Sequence, residues 1–501
     1  MKNIAILLLA TTFLTACGGE GRNTPTPTTP VNTNSAPTLS SNNANQATQV
    51  GATVNYDATQ NGTTFTDPDG DTLTYTVAYA PSAQGLSDNN GVISGSPSLA
   101  GTITITITAT DPSGASASDA FNVTINSSGG LDQNAVLATF NGNIDLSNLE
   151  NYANQPVPAY ITKLNTNGNP ITDPGATLGR VLFYDVALSV DDTISCSSCH
   201  LQSHAFSDTN VVSDGVQGGV TGRHSMRLIN TQFADETNFF WDERAPSLED
   251  QTTEPLRDHN EHGFSNQNGR PDFNALITKI SAIEYYDELF TFVYGDNNIT
   301  EPRIQLALAQ FVKSIQSFDS RFDQARAQAT SDQDFFPSFT QQETNGKDLY
   351  FNGPAGGTPG AGCNVCHTAP EFDIRPTDGH NGVVAVAGNP GAFDFTNNRS
   401  PSLRDLVKPN GNPNGPFMHD GSQATLMDVI DHYDDIPVPA NQADLNNFNA
   451  TFNSSLSQGL VQGNPPQQLN LNQSQKDDLA AFLRTLTGTN VYTDAKYSDP
   501  F

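Results

Sequence analysis

Between residues 102 and 110 polar and apolar side chains alternate without a break, with Ile103, Ile105, Ile107 and Ala109 on one side and threonines on the other. A period of two places successive side chains on opposite faces of a pleated strand, so this run predicts a half-buried β-strand. After a turn at Pro112-Ser113-Gly114 the alternation resumes with Phe121, Val123 and Ile125. Short runs of this kind, divided by Gly-, Asn- and Asp-rich turns, occupy residues 36–127 and predict an N-terminal all-β sandwich. Past Gly129-Gly130 the period lengthens to that of helices. Ile304, Leu308, Phe311, Val312, Ile315 and Phe318 form one apolar face, and Leu479, Phe482, Leu483 and Leu486 form another. A third face, in a helix from Thr425 to Tyr433, carries Leu426, Val429, Ile430 and Tyr433, which points that tyrosine inward. Ordinary core packing is one reading of a tyrosine so placed.

The N-terminus has neither period. Lys2 precedes an apolar run, Ile4 to Leu14, too short to span a bilayer, which reads as an export signal. The run ends in Leu14-Thr15-Ala16-Cys17, which resembles a bacterial lipobox and implies a chain beginning at a lipid-bearing Cys17. A secretory signal with a chance cysteine is the other reading. Gly18 and Gly19 follow with no Asp at the next position, which by the same resemblance favours the outer membrane. Residues 1–16 are then a signal peptide, and the Thr- and Pro-rich 17–35 a tether that cannot bury a core. No later stretch is long and apolar enough to cross a membrane. The expectation is a lipoprotein facing the periplasm or the cell surface and touching membrane only through its lipid.

With 501 residues there is room for roughly three domains. Asp and Glu number 53 against 22 Lys and Arg, a net charge of −31, which argues against nucleic acid or anionic lipid as partner. Such a balance suits a solvated acidic surface, or one that steers a basic redox protein.

The cysteines change the picture more. There are five: Cys17 falls in the lipobox, and Cys196, Cys199, Cys363 and Cys366 fall in two Cys-x-x-Cys-His motifs. None is left for a disulfide. In this motif two thiols add to the vinyl groups of a c-type haem and the histidine supplies an axial nitrogen to iron. A single copy also occurs by chance or in zinc sites. Here both copies follow the same signature, Gly179-Arg180-Val181-Leu182-Phe183-Tyr184 and Gly346-Lys347-Asp348-Leu349-Tyr350-Phe351, and each glycine lies 17 residues before its first cysteine. The repeat predicts two mainly α-helical, cytochrome c-like domains, 131–335 and 336–501, carrying two covalent haems with His200 and His367 as ligands.

Two resemblances add to this. The β region is similar to bacterial cadherin-like and Ig-like modules through Asp67-Pro68-Asp69-Gly70-Asp71, Gly91-Val92-Ile93-Ser94-Gly95 and Thr110-Asp111-Pro112. In cadherin-like modules such aspartates bind Ca²⁺, implying Asp67, Asp69, Asp71 and Asp111; Asx turns at strand ends are the equal alternative. Residues 175–435 resemble the bacterial di-haem cytochrome c peroxidase/MauG family. The resemblance runs through Leu178-Gly179-Arg180, Ile194 to His200, Phe240-Trp241-Asp242, Ser247 to Gln251, and Pro416-Phe417-Met418-His419-Asp420-Gly421.

The resemblance implies an enzyme acting on H₂O₂ at the first haem, with Gln251, Pro255 and Glu261 in the distal pocket and Trp241 passing electrons between haems. An acid beside bound peroxide can take a proton from one oxygen and return it to the other. For the second haem it implies Tyr433 as the other axial ligand, as in MauG-type members, where peroxidases of the family use Met; Met418 and Met427 lie off the family position. Electrons would come from a small cytochrome c or cupredoxin, or the oxidising equivalents would act on a partner protein. A pure electron-transfer lipoprotein is the non-enzymatic alternative.

Three departures qualify the likeness. The loop Asp214 to Val220 lacks the histidine that closes the first haem in resting peroxidases of this family. His224 stands where the family has an Asn that, with backbone carbonyls matching Asn414 and Pro416, ligates an interhaem Ca²⁺; histidine suits calcium poorly, and iron is a remoter use for it. Glu243 replaces a turn glycine after Trp241-Asp242. For His204, His259, His262, His380 and His432 surface or packing roles are expected.

Overall fold

The computed structural model describes residues 34–126 and 133–501, apart from 167, 236, 355–358, 375–378, 438–450, 453 and 462–465. The signal peptide, Cys17 and nearly all of the tether lie outside the described residues.

The alternating strand is observed as Gly101–Thr110, with Ile103, Ile105, Ile107 and Ala109 fully buried. It is the centre of a four-stranded sheet ordered Gln46–Gln49, Ser116–Asn126, Gly101–Thr110, Thr74–Ala80. Its pairings are antiparallel except that of Gln46–Gln49 with Ser116–Asn126, which is parallel. A second sheet orders Val54–Asp57, Val92–Gly95, Leu86–Asn89. Phe121, Val123 and Ile125 meet Phe65, Leu86 and Ile93 in the core between them. Asp67 accepts from the amides of Asp69 and Asp71, and Asp111 from those of Ser113 and Ala115. These are Asx turns. Asp69 and Asp111 also take hydrogen bonds from Ser35 and Asn34.

In the helical region the repeated glycines have one job. The helix Asp173–Tyr184, capped by Thr172, crosses Glu301–Ser314 so closely that a methyl on Gly179 would sit 2.0 Å from the Ala307 carbonyl oxygen. The helix Gln341–Phe351, capped by Thr340, crosses Gln473–Arg484 in the same way, with 1.9 Å from Gly346 to the Asp478 carbonyl. Each crossing carries an apolar core that lies under one Cys-x-x-Cys-His segment.

Two expectations shift. The helix of the 304–318 face stops at Ser314, because Ile315 turns extended (φ −73°, ψ 101°); Phe318 instead packs edge-on against Phe233. The division near 335 is also displaced. Phe322 and Ala325 belong to the second core, and Phe322 packs on Phe336, Phe372 and Phe482. In return the C-terminal tail enters the first core through Val491 and Tyr497, and Arg180 and Tyr184 donate to the carbonyls of Ser498 and Tyr497.

Candidate active site

The helix Leu248–Arg257 is started by Ser247, whose hydroxyl accepts from the Asp250 amide. Gln251 and Pro255, four residues apart, share one of its faces. The chain then turns tightly: Asp258 accepts from the amides of Asn260 and Glu261, the His262 amide donates to the Pro255 carbonyl, and Gly263 takes φ +89°. The turn returns Glu261 to the same side. The result is a cavity of about 720 Å³ lined by Cys196, Cys199, His200, Trp241, Gln251, Pro255 and Glu261. All four residues expected to handle peroxide or electrons border one space with the first Cys-x-x-Cys-His motif.

Burial pushes the Glu261 carboxyl up to about 7; Asp258 adds to the rise and Arg244 opposes it. A carboxyl held there exchanges protons near neutrality. Arg244 is itself fixed, 2.9 Å from both Glu254 and Asp242 and stacked 3.5 Å over the Phe240 ring. The loop that lacks a histidine lies against the outer side of the Glu261 turn. Val216 donates its amide to the Glu261 carbonyl at 3.1 Å, and a methyl on Gly215 would sit 1.9 Å from the Asn260 oxygen. From the stretch 214–220 only Asp214 borders the cavity.

The histidines of both motifs fit an iron. His200 Nδ1 lies 3.0 Å from the Phe206 carbonyl, which leaves the lone pair on Nε2 when Nδ1 carries the proton. Burial lowers the pKa of His200 and brings that of His367 down to about 4, so both rings are neutral, as a metal ligand must be. Among the described residues no disulfide joins the four motif cysteines, and burial pushes Cys196, Cys199 and Cys363 up to about 12. Paired thiols beside a neutral histidine and a cavity suit a haem joined by thioethers.

The second motif borders a smaller, more apolar cavity of about 200 Å³, lined by Cys363, Cys366, His367 and the face Leu426, Val429, Ile430, Tyr433. The helix Leu426–Asp434 carries this face and is started by a capping box between Thr425 and Asp428. Tyr433 therefore stands in the same cavity as His367, as its helical face predicts.

Trp241 borders both the first cavity and a space of about 80 Å³ next to the second. Its indole N–H donates to the His224 carbonyl at 2.7 Å, its own carbonyl accepts from the amides of Asn398 and Arg399, and its ring meets His419 edge-on at 6.2 Å. Both halves hold it in place. The turn behind it closes without glycine because Glu243 takes the left-handed conformation, φ +56°.

His224 is buried, its Nδ1 2.8 Å from the Asn210 carbonyl and its Nε2 3.3 Å from the Ser207 hydroxyl. Asn414 is buried too and donates to the Asp405 carbonyl and the Tyr492 hydroxyl, while Pro416 borders the small space between the halves. Among the described residues no group of three or more His, Cys, Asp and Glu side chains is gathered to hold a metal ion. His262, His380 and His432 are buried with a ring nitrogen 2.8–3.0 Å from a backbone carbonyl, the packing role expected of them. His204 and His259 meet the side chains of Ser203 and Ser265. Asn381 and Arg227, which border the cavities, were not visible as site residues, because neither belongs to a motif or a periodic face.

Two cavities, each with its own Cys-x-x-Cys-His motif, and a tryptophan between the first and the small space beside the second, suit a di-haem protein of the c type. Residues 173–331 match the family model of the di-haem cytochrome c peroxidase, and residues 23–126 match that of an Ig domain. The MauG protein of Methylophilus methylotrophus is 28% identical over 326 residues, covering 64% of this chain and 84% of that protein. MauG of Methylorubrum extorquens is 30% identical, over 53% of this chain and 70% of its own length. The cytochrome c551 peroxidase of Nitrosomonas europaea is 25% identical, over 62% and 80%. Among solved structures, a MauG-like protein associated with microbial copper homeostasis superposes with a TM-score of 0.54 at 29% identity, covering 69% of this chain and 99% of that one. The chain belongs to the di-haem cytochrome c peroxidase/MauG family and is an oxidoreductase of that type. Membership implies two haems. No helix among the described residues is long and apolar enough to cross a membrane.

Proposed function

We propose that this protein is a periplasmic peroxidase that reduces H₂O₂ to water at the cavity of His200, with two electrons delivered through the half that carries His367. The observation that carries this reading is Glu261, a carboxyl raised to about 7 in the wall of the cavity that holds the first Cys-x-x-Cys-His motif. When bound, the haems supply one iron to split the O–O bond and another to relay or hold an electron. Glu261, as carboxylate, takes a proton from one peroxide oxygen and returns it to the other, which leaves as water, so that H₂O₂, two protons and two electrons become two waters. The Gln251 amide orients the substrate, and Pro255, which has no N–H, leaves the Gln251 carbonyl without its helical donor. Trp241, held by both halves, passes electrons between them. Cys196, Cys199, Cys363 and Cys366 would hold the two haems through thioethers, and His200, His367 and Tyr433 would be the side chains offered to iron.

The ligand set favours a second reading of the same site. A tyrosine in the second cavity, and a 214–220 loop that has no histidine and borders the first cavity only through Asp214, fit an enzyme that reacts with peroxide without prior reduction and spends both equivalents on a partner protein. The two readings separate in one assay: full-length di-haem protein mixed with peroxide and a reduced small cytochrome c or cupredoxin. The peroxidase reading predicts two donors oxidised per peroxide. Donors left untouched while the protein holds both equivalents would give the second reading, and no reaction with peroxide in any state would overturn both.

A further inference from the structure

The second cavity contains an amide that stands between a phenol and a thioether. Asn381 Nδ2 lies 3.3 Å from the Tyr433 hydroxyl and 3.1 Å from the Met418 sulfur. Its orientation is fixed, since the Val383 amide donates to Asn381 Oδ1 at 3.1 Å and so turns the NH₂ group toward the other two. The Asn381 carbonyl is in turn 2.8 Å from Nε2 of His432, the residue before Tyr433, which ties it to the tyrosine's helix. Asn381, Met418, Tyr433 and His367 all border the same small space between the halves. Met418 is held there at φ +68°, a left-handed conformation that a side chain of its size keeps only when its surroundings impose it. The 417–423 turn does so, through the bonds of Phe417 to Gln423 and of Gly421 to Met418.

An amide NH₂ has two hydrogens, and here there are two acceptors for them. The acceptors differ in what they do to iron. A phenolate oxygen is a hard donor, whereas a thioether is soft, favours the reduced metal and raises its potential. A thioether keeps a second lone pair when one accepts an N–H, so the bond does not disable the sulfur; it holds it at Asn381, and a move onto iron would have to break it. A phenolate that accepts one hydrogen bond still has lone pairs to give.

On the reading that Tyr433 ligates the second haem, we propose that Asn381 is the positioning residue that selects oxygen over sulfur there, by pinning the Met418 thioether while orienting the Tyr433 oxygen. The test is near-infrared magnetic circular dichroism, EPR and a redox titration of the full-length di-haem protein. The expected result is no sulfur-to-iron charge-transfer band in the wild type. Asn381→Leu gains that band and shifts the second haem's midpoint potential upward, and Asn381→Leu with Met418→Leu loses the band again. Should Asn381→Leu fail to retain both haems, Asn381→Asp, the same shape without amide hydrogens, carries the same prediction for the sulfur band alone, since its added negative charge lowers the potential by itself. An Asn381 variant with no sulfur band, beside a Tyr433→Phe variant whose second haem is altered, would overturn the selection by Asn381 while leaving Tyr433 as ligand. A Tyr433→Phe variant whose second haem keeps the wild-type spectrum would overturn the ligand reading, and this proposal with it.

Discussion

Each haem half starts from a glycine on the helix before the motif, a second helix crossing on top of that glycine, and a neutral histidine beside two thiols. What covers the opposite side differs. In the first half it is a Pro-containing helix and a tight turn that bring Gln251 and Glu261, its carboxyl raised to about 7, to a cavity of about 720 Å³. In the second it is an amphipathic helix that brings leucines and Tyr433 to about 200 Å³. On the proposed function, one scaffold thus yields a site for small-molecule chemistry and a site for handling electrons. The division of labour comes from the distal cover, not from the repeated motif.

The largest break in that comparison comes from Glu261→Gln. It should slow reaction with peroxide by about 100- to 10,000-fold while leaving both haems attached and the second half's spectrum unchanged, as stopped-flow mixing would read. The wild-type rate should depend on pH with a definite sign. With its carboxyl raised to about 7, Glu261 is protonated below that pH and is no base, so the rate rises through about 7. The Gln variant should show no such rise. Linkage has the opposite sign: the folded state binds this proton more tightly, so stability falls as pH climbs from the ordinary carboxylate range to about 7. Relative to the wild type, the variant gains stability above that window.

The shared part of the comparison can be broken symmetrically. Gly179→Ala and Gly346→Ala each push a methyl into a backbone carbonyl, at 2.0 and 1.9 Å. Each should cost roughly 1–3 kcal/mol in denaturant unfolding, with haem loss confined to its own half. A smaller effect concerns Trp241. Glu243→Gly relieves a left-handed residue at φ +56° and should raise stability by about 1 kcal/mol without altering the peroxide rate.

The parts of this design that the sequence displays are local. Ile103, Ile105 and Ile107 announce a buried face because a period of two survives any tertiary arrangement. The motif spacing announces haem because the chemistry is covalent, and Tyr433 could be aimed inward from its own helix. Long-range contacts leave no such trace. Asn381 reaches Met418 and Tyr433 across 37 and 52 residues from a segment without period. The tail around Ser498 crosses 318 residues to Arg180, so its place in the first core has no local signal. Phe318 fell outside its helix for a related reason: periodicity marks the face but not the residue at which the backbone turns away.

The most direct test of the central claim, that the first site is open to peroxide and the second is its electron partner, is the optical and EPR spectrum of the air-oxidised protein before and after stoichiometric H₂O₂. The account predicts a high-spin haem beside a low-spin one, and a reaction with peroxide that perturbs both and that Glu261→Gln suppresses. Two low-spin haems that ignore peroxide even after reduction would contradict it and leave an electron carrier.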